Sequence, residues 1–411
     1  MAKINFHQAW KNIFERYKLL ETIKKDGFVD ISADAIKAVD NKEPRNLTKI
    51  DFREKLPHIM KEEGLSILAI KNGLYRIAKN DPFIDIAEEI STKVITLDVP
   101  QNISTIDPFN IKSESAALDI AMISGMHRRV FQEESQLTVR GRLRGSLNFH
   151  IANVAYNVEG VQIEVDGGYE SKSALHLIEA KIGYSNNINI RQLLYPQLYW
   201  ERELKGKKKI KSYLFYLQND IFRFIPFYTN DTIGYVDYEN EMAFRFKEAL
   251  SNFSIYDITV NSKDVDTSVP FPQADRFETL HTMILLLSQN RCLSKEEFST
   301  HFDIVERQID YYFSALKWLK VAKEDHNCLV LTPKGEEIVN LPFRKRVEVL
   351  AKTVFSDPIF NAVLHNKDIN SNYFYHYNMY SESTIKRRLG TVRAWIKYLK
   401  TILEQDESWR I

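Results

Sequence analysis

Hydrophobic residues near the start of the chain recur every three or four positions, which predicts a helix with one buried face. The recurring positions are Phe6, Trp10, Ile13, Phe14, Tyr17 and Leu20. A short β-rich run over residues 28–31 follows, and the hydroxyl of Ser32 can cap a helix over residues 33–39. The pattern therefore predicts a helix, a strand and a second helix.

A third helix and a hairpin complete this region. Pro44 suits the first turn of a helix over about residues 45–60, which Pro57 ends or kinks. Asn72 and Gly73 then separate two β-rich runs, which is the strongest short-range signal for a hairpin. Three helices and a hairpin in this order are the parts of a winged helix, which we predict for residues 1–95. A small helical packing domain is the alternative.

The pattern changes after a proline-containing connector at residues 96–112. Residues 113–262 combine a helix over 113–128, several strands and a second helix near 188–204. Strands on either side of helices indicate a mixed α/β domain.

Helical spacing returns over residues 276–411. Helices are predicted over 277–288, over 295–301 after a Ser294 cap, and over 303–321, and a β-rich run at 329–331 can form a wing. We therefore expect an α+β or mixed α/β multidomain protein, in which a central domain is flanked by two helical, winged-helix-like domains.

Two acidic residues and a lysine stand out in the central domain. Polar and apolar residues alternate up to Asp166, and Glu179 and Lys181 share one face of the next β-rich run. A turn at residues 171–173 would place Asp166 directly opposite Glu179, with their Cβ atoms roughly 5 Å apart. A surface hairpin with an ion pair is the alternative explanation, although the second run is more apolar than a solvated strand requires.

Two carboxylates this close repel each other unless a cation lies between them. Oxygen ligands favour Mg²⁺ or Mn²⁺ over zinc, and the carbonyl of Ala180 can add a ligand to Asp166 and Glu179. Lys181 could orient or deprotonate a water, or stabilise charge on a phosphate. Hydrolysis of a phosphodiester needs these functions.

The arrangement resembles the PD-(D/E)xK nuclease superfamily, whose motif maps to Asp166, Glu179 and Lys181. Val165 stands where the motif name has proline. The resemblance implies a further acidic residue on the helix before the strands, for which Glu114 is the first candidate and Asp119 the second. It also implies a Gln or basic residue near the scissile phosphate after the motif, here Gln192 and Arg191. Both could equally be polar residues of a helix surface.

Several runs resemble bacterial type II restriction endonucleases more specifically, namely residues 43–49, 166–170, 177–181 and 190–196. That resemblance implies a Mg²⁺-dependent, sequence-specific endonuclease that cleaves double-stranded DNA, usually as a homodimer. It also implies a restriction-modification system in which a cognate DNA methyltransferase acts on the same site without a stable complex.

Basic and polar residues outside the motif are candidates for DNA contact. Arg and Gln side chains can read base edges, and basic rows or helix faces attract phosphates. Packing against another domain is the alternative for the candidates on the helix over residues 303–321. A membrane surface could use the charges of the basic helix over residues 384–400, although Trp395 alone is poor support for that. The candidates are Arg45, Thr48 and Lys49; Arg140, Arg142 and Arg144 on one predicted strand; Arg307, Gln308 and Tyr311; and Lys386, Arg393 and Lys397 on a basic helix over residues 384–400.

Charge, cysteine content and the absence of long apolar runs limit the location and the partners that we expect for this protein. The 411 residues include 56 Lys and Arg against 55 Asp and Glu, so any DNA site must come from local basic clusters. Cys292 and Cys328 are too far apart in the sequence to indicate a metal site or a disulfide framework, which favours a reducing compartment. With no signal peptide and no run of 18 apolar residues, we expect a soluble, cytoplasmic protein without a membrane partner.

Two other functions remain open at this stage. A DNA-binding regulator with an inactive nuclease fold would keep the architecture without the chemistry. A nuclease restricted to modified DNA would need an aromatic base-flipping pocket, which a chain with 24 Phe, 20 Tyr and 5 Trp does not rule out. ATP-driven and serine-hydrolase chemistry are disfavoured because neither a Walker loop nor a GxSxG motif occurs.

Overall fold

The computed structural model describes residues 6–40, 43–87, 90, 92–183, 187–230, 234–247, 253–261, 268–302, 304, 306–367, 372–375, 377 and 381–404. The chain forms two compact units, Met1–Lys247 (unit 1) and Glu248–Ile411 (unit 2). Both contain helices and strands, and a large mixed sheet lies in unit 1, which confirms the predicted mixed α and β class. Each helix in the described ranges is too short or too polar to cross a lipid bilayer.

The first part of unit 1 follows the predicted order closely. The predicted strand, the helix after Ser32 and the hairpin are confirmed, and the Ser32 hydroxyl accepts a hydrogen bond from the Ala35 N–H at 3.1 Å. The elements are α1 (Phe6–Tyr17), α2 (Leu19–Asp26), β1 (Phe28–Ser32), α3 (Ala33–Asp40), α4 (Pro44–Thr48), α5 (His58–Glu63), β2 (Ser66–Lys71) and β3 (Leu74–Ala78).

The prediction of one helix over about residues 45–60 is wrong. The helix α4 ends at Thr48, and α5 begins only at His58. The chain beyond α4 is held by residues more than a hundred positions away: the Asn189 N–H donates to the Asp51 carbonyl at 3.0 Å, and Asn187 Oδ1 accepts from the Arg53 N–H at 2.7 Å. These tertiary hydrogen bonds replace helical ones.

The remainder of unit 1 carries most of its strands. The predicted helix over 113–128 is broken in two at Gly125, whose φ of 76° favours glycine. The elements are β4 (Phe83–Asp85), β5 (Val94–Leu97), α6 (Glu114–Ile123), α7 (Met126–Phe131), β6 (Ser135–Ile151), β7 (Val154–Ser171), β8 (Ala174–Ile182), β9 (Asn187–Asn189), α8 (Arg191–Leu204), β10 (Lys209–Gln218), β11 (Ile221–Thr229), β12 (Gly234–Val236) and β13 (Met242–Phe246).

Within the described residues, eleven strands of unit 1 form one mixed sheet. Its order is β1-β3-β2-β7-β8-β10-β11-β13-β5, with β6 paired to β7 and β12 paired to β11. β8 and β10 run parallel, and α8 lies between them in the chain, as parallel neighbours require a crossover.

Helices cover both faces of this sheet. Leu193 and Leu194 of α8 pack with Leu214 of β10 on one face, whereas Leu118 of α6 packs with Phe215 of β10 on the other. The centre of the sheet is therefore buried, and polar side chains there need partners.

Unit 2 contains the predicted helices and wing strands, and α16 confirms the helix predicted over residues 384–400, whereas α12 to α15 were not predicted. Ser294 caps α10 as predicted: its hydroxyl accepts from the Glu297 N–H at 3.2 Å, and Glu297 accepts from the Ser294 N–H at 2.8 Å. The elements are α9 (Phe277–Gln289), β14 (Leu293–Ser294), α10 (Lys295–Phe302), α11 (Glu306–Trp318), β15 (Ala322–Asp325), β16 (Cys328–Leu331), α12 (Pro333–Val339), α13 (Phe343–Phe355), α14 (Pro358–Leu364), α15 (Asn372–Tyr375) and α16 (Glu382–Glu404).

The expectation that the two cysteines do not pair is wrong. Cys292 and Cys328 form a disulfide, with their Cα atoms 5.7 Å apart. The 36-residue separation is closed because β14 pairs with β16, where Ser294 lies opposite Cys328. Strand pairing, which the spacing in the sequence does not reveal, brings the two thiols together.

Candidate active site

The predicted register between the two motif strands is confirmed over residues 167–170. Gly167 of β7 pairs with Ile178 of β8, and Gly168 pairs with Leu177. The direct pair between Asp166 and Glu179 does not form, because the ladder ends one residue before it. Instead, Oδ2 of Asp166 accepts a hydrogen bond from the Ala180 N–H at 2.8 Å, so the carboxylate still lies beside Glu179 along β8.

A β-bulge explains this departure. Val139 of β6 pairs with Gly168 and Gly141 pairs with Val165, so two steps along β6 face three along β7. The extra residue lies within the pair Asp166 and Gly167. A bulge re-aims a side chain locally, which is how the Asp166 carboxylate reaches the Ala180 N–H.

Glu179 is the buried centre of the site, with 5% of its surface exposed. Its Oε1 accepts hydrogen bonds from Lys181 Nζ and from Gln192 Nε2, each at 2.5 Å. Burial raises the pKa of this carboxyl group to about 8; Lys181 opposes the shift and the nearby Asp166 adds to it. A proton on Glu179, or a cation close to it, would offset the cost of burying this carboxylate.

Lys181 connects three oxygen atoms around Glu179. Besides Glu179 Oε1, its ammonium donates to the Ala180 carbonyl at 2.9 Å and lies 3.7 Å from Glu114 Oε1. Burial acts to lower the Lys181 pKa, but Glu179 and Glu114 outweigh it and hold the pKa above its usual value. The ammonium thus contacts two of the three predicted metal ligands.

Glu114 reaches the site from the first turn of α6. Ser113 caps this helix by accepting the Ala116 N–H at 3.2 Å. Burial is the main cause of the raised pKa of Glu114, and Lys181 counteracts it. The second acidic candidate, Asp119, binds Arg140 instead, with 2.9 Å between Asp119 Oδ1 and Arg140 Nη2.

Gln192 lies in the first turn of α8 and contacts the Glu179 carboxylate. Its amide nitrogen donates to Glu179, while its Oε1 is buried and has no hydrogen-bond partner in the described part of the chain. A buried acceptor without a donor is costly and suggests that something else binds there.

The donor set suits a hard cation held by few protein ligands. No group of three or more His, Cys, Asp and Glu side chains suited to a metal is found among the described residues. Mg²⁺ commonly binds through one or two carboxylates and keeps several waters. Asp166, Glu179 and the Ala180 carbonyl fit that pattern, and the orphaned Gln192 Oε1 provides a further acceptor close by.

The predicted row of three arginines on β6 is not a free phosphate-binding row. Arg140 turns toward α6 and β7, where it binds Asp119 and the Asp166 carbonyl. Arg142 pairs with Glu164 on β7 at 3.0 Å, and Arg144 is exposed. The two ion pairs, which depend on the bulge and on strand pairing, were not visible in the alternation of residues.

Two of the predicted DNA-contact residues, Lys49 and Arg191, lie beside Asp51. Arg191, at the start of α8, binds Asp51 Oδ1 at 2.5 Å, and Lys49 lies 3.6 Å from Asp51 Oδ2. Arg45 is exposed on α4, and the Thr48 hydroxyl donates to the Pro44 carbonyl at 2.9 Å. Nothing in the sequence near Asp51 marks it as a partner of Arg191.

The candidates in unit 2 differ in exposure. Gln308 is exposed on α11 and Tyr311 packs partly against the core, while the side chain of Arg307 lies outside the described residues. Lys386, Arg393 and Lys397 are exposed on α16. Arg393, Lys397 and Lys400 line a cavity of about 650 Å³ between α14 and α16.

Comparison with protein families finds three matches along the chain. Residues 7–77 match a domain of unknown function (DUF6996), residues 78–247 match a second (DUF6997), and residues 280–404 match a third (DUF7226). The second match contains Glu114, Asp166, Glu179, Lys181 and Gln192. No match is found among curated proteins or among solved structures.

Proposed function

We propose that this chain is a Mg²⁺-dependent, site-specific DNA endonuclease, with a PD-(D/E)xK-type nuclease domain flanked by winged-helix-like DNA-binding domains. The observation that carries the proposal is the meeting of Asp166, Glu179 and Lys181 around Ala180. Asp166 accepts the Ala180 N–H, and Lys181 donates both to the Ala180 carbonyl and to Glu179. Three residues chosen from a sequence motif thus share one partly buried hydrogen-bond network, with Glu179 buried at its centre.

Each residue has a role in this proposal. Asp166, Glu179 and the Ala180 carbonyl would hold Mg²⁺, which when bound activates water and neutralises charge on the phosphate. Lys181 positions the attacking water or stabilises the phosphate charge, and Glu114 holds the ammonium. Gln192 fixes Glu179 in place.

Double-stranded DNA is the proposed substrate. Exposed cations on α4 and α16 supply candidate phosphate contacts. One active site per chain cuts one strand, so cleavage of both strands favours a homodimer. A cognate DNA methyltransferase that modifies the same site completes the proposed restriction-modification system.

Digestion of unmodified phage DNA and its methylated counterpart, with Mg²⁺ or with EDTA, tests the proposal. Discrete fragments that require Mg²⁺ and unmodified DNA would support it, whereas cleavage of methylated DNA alone would indicate a modification-dependent nuclease. Glu179→Ala and Lys181→Ala should abolish cleavage and spare DNA binding. Lys211→Ala, which removes an exposed lysine from β10, is the matched control and should cleave normally.

A DNA-binding regulator with an inactive nuclease fold is the second candidate. One observation favours it: Glu114 lies toward Lys181, so that no third carboxylate joins Asp166 and Glu179 among the described residues. Specific DNA binding without Mg²⁺-dependent cleavage of any substrate would support the regulator and overturn the endonuclease.

A further inference from the structure

The guanidinium of Arg140 joins three elements behind the proposed metal site. Its Nε donates to the Asp166 carbonyl at 3.1 Å, and its Nη2 donates to Asp119 Oδ1 on α6 at 2.9 Å. Nη2 also lies 3.5 Å from the Tyr169 hydroxyl. Because a guanidinium is planar and presents several fixed donors, these contacts define its orientation.

Arg140 lies at the bulge that directs the Asp166 side chain. The register of β6 on β7 shifts between Val139 and Gly141, on either side of Arg140. Gly141 has a φ of 105°, a conformation that favours glycine. At this point the regular ladder is interrupted, and the Asp166 carbonyl accepts a hydrogen bond from the Arg140 side chain.

We infer that Arg140 is a positioning residue for Asp166, anchored by Asp119, and is not a DNA contact. Its hydrogen bond to the backbone of Asp166 holds the bulge, and the bulge in turn points the carboxylate at the Ala180 N–H. The same α6 that holds Asp119 also presents Glu114 to Lys181, so Arg140 ties this helix to β7. The inference rests on the proposed function, since it assigns Asp166 to the cation.

Arg142 provides a matched control on the same strand. It is two residues away, it is exposed, and it pairs with Glu164 at a regular position of the ladder. If the arginines of β6 served as phosphate contacts, Arg140 and Arg142 would contribute to DNA binding alike. If Arg140 positions Asp166, only Arg140 should affect cation binding.

The test compares Arg140→Met and Arg142→Met in the full-length chain by two measurements. Mn²⁺ binding without DNA is followed by electron paramagnetic resonance of the free ion, and DNA affinity is measured in EDTA. We expect Arg140→Met to weaken Mn²⁺ binding by roughly 10- to 100-fold, as loss of a group that orients a metal ligand does. Arg142→Met should bind Mn²⁺ like the wild type, and neither variant should lose more DNA affinity than the other.

The inference would be overturned if Arg140→Met bound Mn²⁺ as tightly as the wild type, or if this variant alone lost DNA affinity. Either result would leave the proposed function intact. Failure of the wild type itself to bind Mn²⁺ would overturn both. Asp119→Asn, which keeps the side-chain shape, should weaken Mn²⁺ binding in the same direction. It provides the decisive comparison if Arg140→Met does not fold.

Discussion

The amide of Gln192 on α8 donates a hydrogen bond to Oε1 of Glu179 on β8, with 2.5 Å between the two atoms. Glu179 is buried, and the same oxygen accepts from Lys181. A helix on one face of the sheet therefore orients the carboxylate on which the proposed chemistry depends.

Replacing Gln192 by Leu should reduce Mg²⁺-dependent cleavage by roughly 10- to 100-fold, the cost of losing a hydrogen bond to a charged group. The effect should include a higher Mg²⁺ concentration at half-maximal rate, since Glu179 loses its orientation. Gln197→Leu, which changes a buried glutamine further along α8, is the control. Equal losses in the two variants would show that α8 packing, and not the contact to Glu179, is responsible.

Replacing Glu179 by Gln should change how stability depends on pH in EDTA. The native carboxyl, with its pKa near 8, keeps a proton that the unfolded chain releases above about pH 4.5. The free energy of unfolding of the wild type should therefore fall between about pH 5 and 8, by at most about 1.4 kcal/mol per pH unit.

The Gln variant does not titrate, so its stability relative to the wild type should rise over that range. Denaturant unfolding at several pH values measures the difference. Glu164→Gln, at an exposed position on β7, should keep the wild-type profile. A pH-independent difference between Glu179→Gln and the wild type would contradict the prediction.

Lys181→Met should bind Mn²⁺ more tightly than the wild type while losing cleavage. The Lys181 ammonium contacts Glu179 and the Ala180 carbonyl, so its charge competes with a cation for the same oxygens. Removing it should increase affinity by at least about tenfold. Calorimetric titration without DNA measures this, with Lys211→Met as the control. Unchanged or weaker binding would mean that the lysine and the cation do not share these ligands.

Reversing two charges on α16, in Arg393→Glu/Lys397→Glu, should weaken DNA binding and make it less sensitive to salt. Both side chains line the cavity between α14 and α16. Loss of two phosphate contacts should reduce the slope of log affinity against log salt by roughly 2. Fluorescence anisotropy in EDTA over a salt series measures the slope. Lys24→Glu/Lys25→Glu on α2 carries the same charge change, and an equal effect there would indicate only a general loss of charge.

Reduction of the Cys292–Cys328 disulfide should destabilise unit 2 by about 2–4 kcal/mol, because it releases a 36-residue loop in the unfolded chain. Denaturant unfolding with and without dithiothreitol measures the change. Cys292→Ser/Cys328→Ser should be equally destabilised and insensitive to the reductant. Labelling of both thiols in the untreated protein would contradict the bond itself.

Local residue chemistry explains what could be predicted here. The alternation ending at Asp166, the turn after Ser171 and the apolar run before Glu179 specify a hairpin register, since side chains alternate strictly along strands. The Ser32 and Ser294 caps were predictable for the same reason, because each acts on a backbone N–H within three residues. On two strands paired in this register, the motif residues Asp166, Glu179 and Lys181 lie close together.

Long-range contacts explain which features could not be predicted from the sequence. Asn189 holds the chain beyond Thr48 by hydrogen bonds, Asp119 pairs with Arg140 from the predicted arginine row, and strand pairing brings Cys292 to Cys328. The orientation of Asp166 at the bulge depends on contacts with Arg140 and Ala180 together. Spacing along the chain thus specified the individual elements and the chemistry that the motif can carry. Tertiary packing decided which polar groups contact one another. A buried polar group needs a hydrogen-bond partner, and here the partners lie far away in the sequence, where no local pattern indicates them.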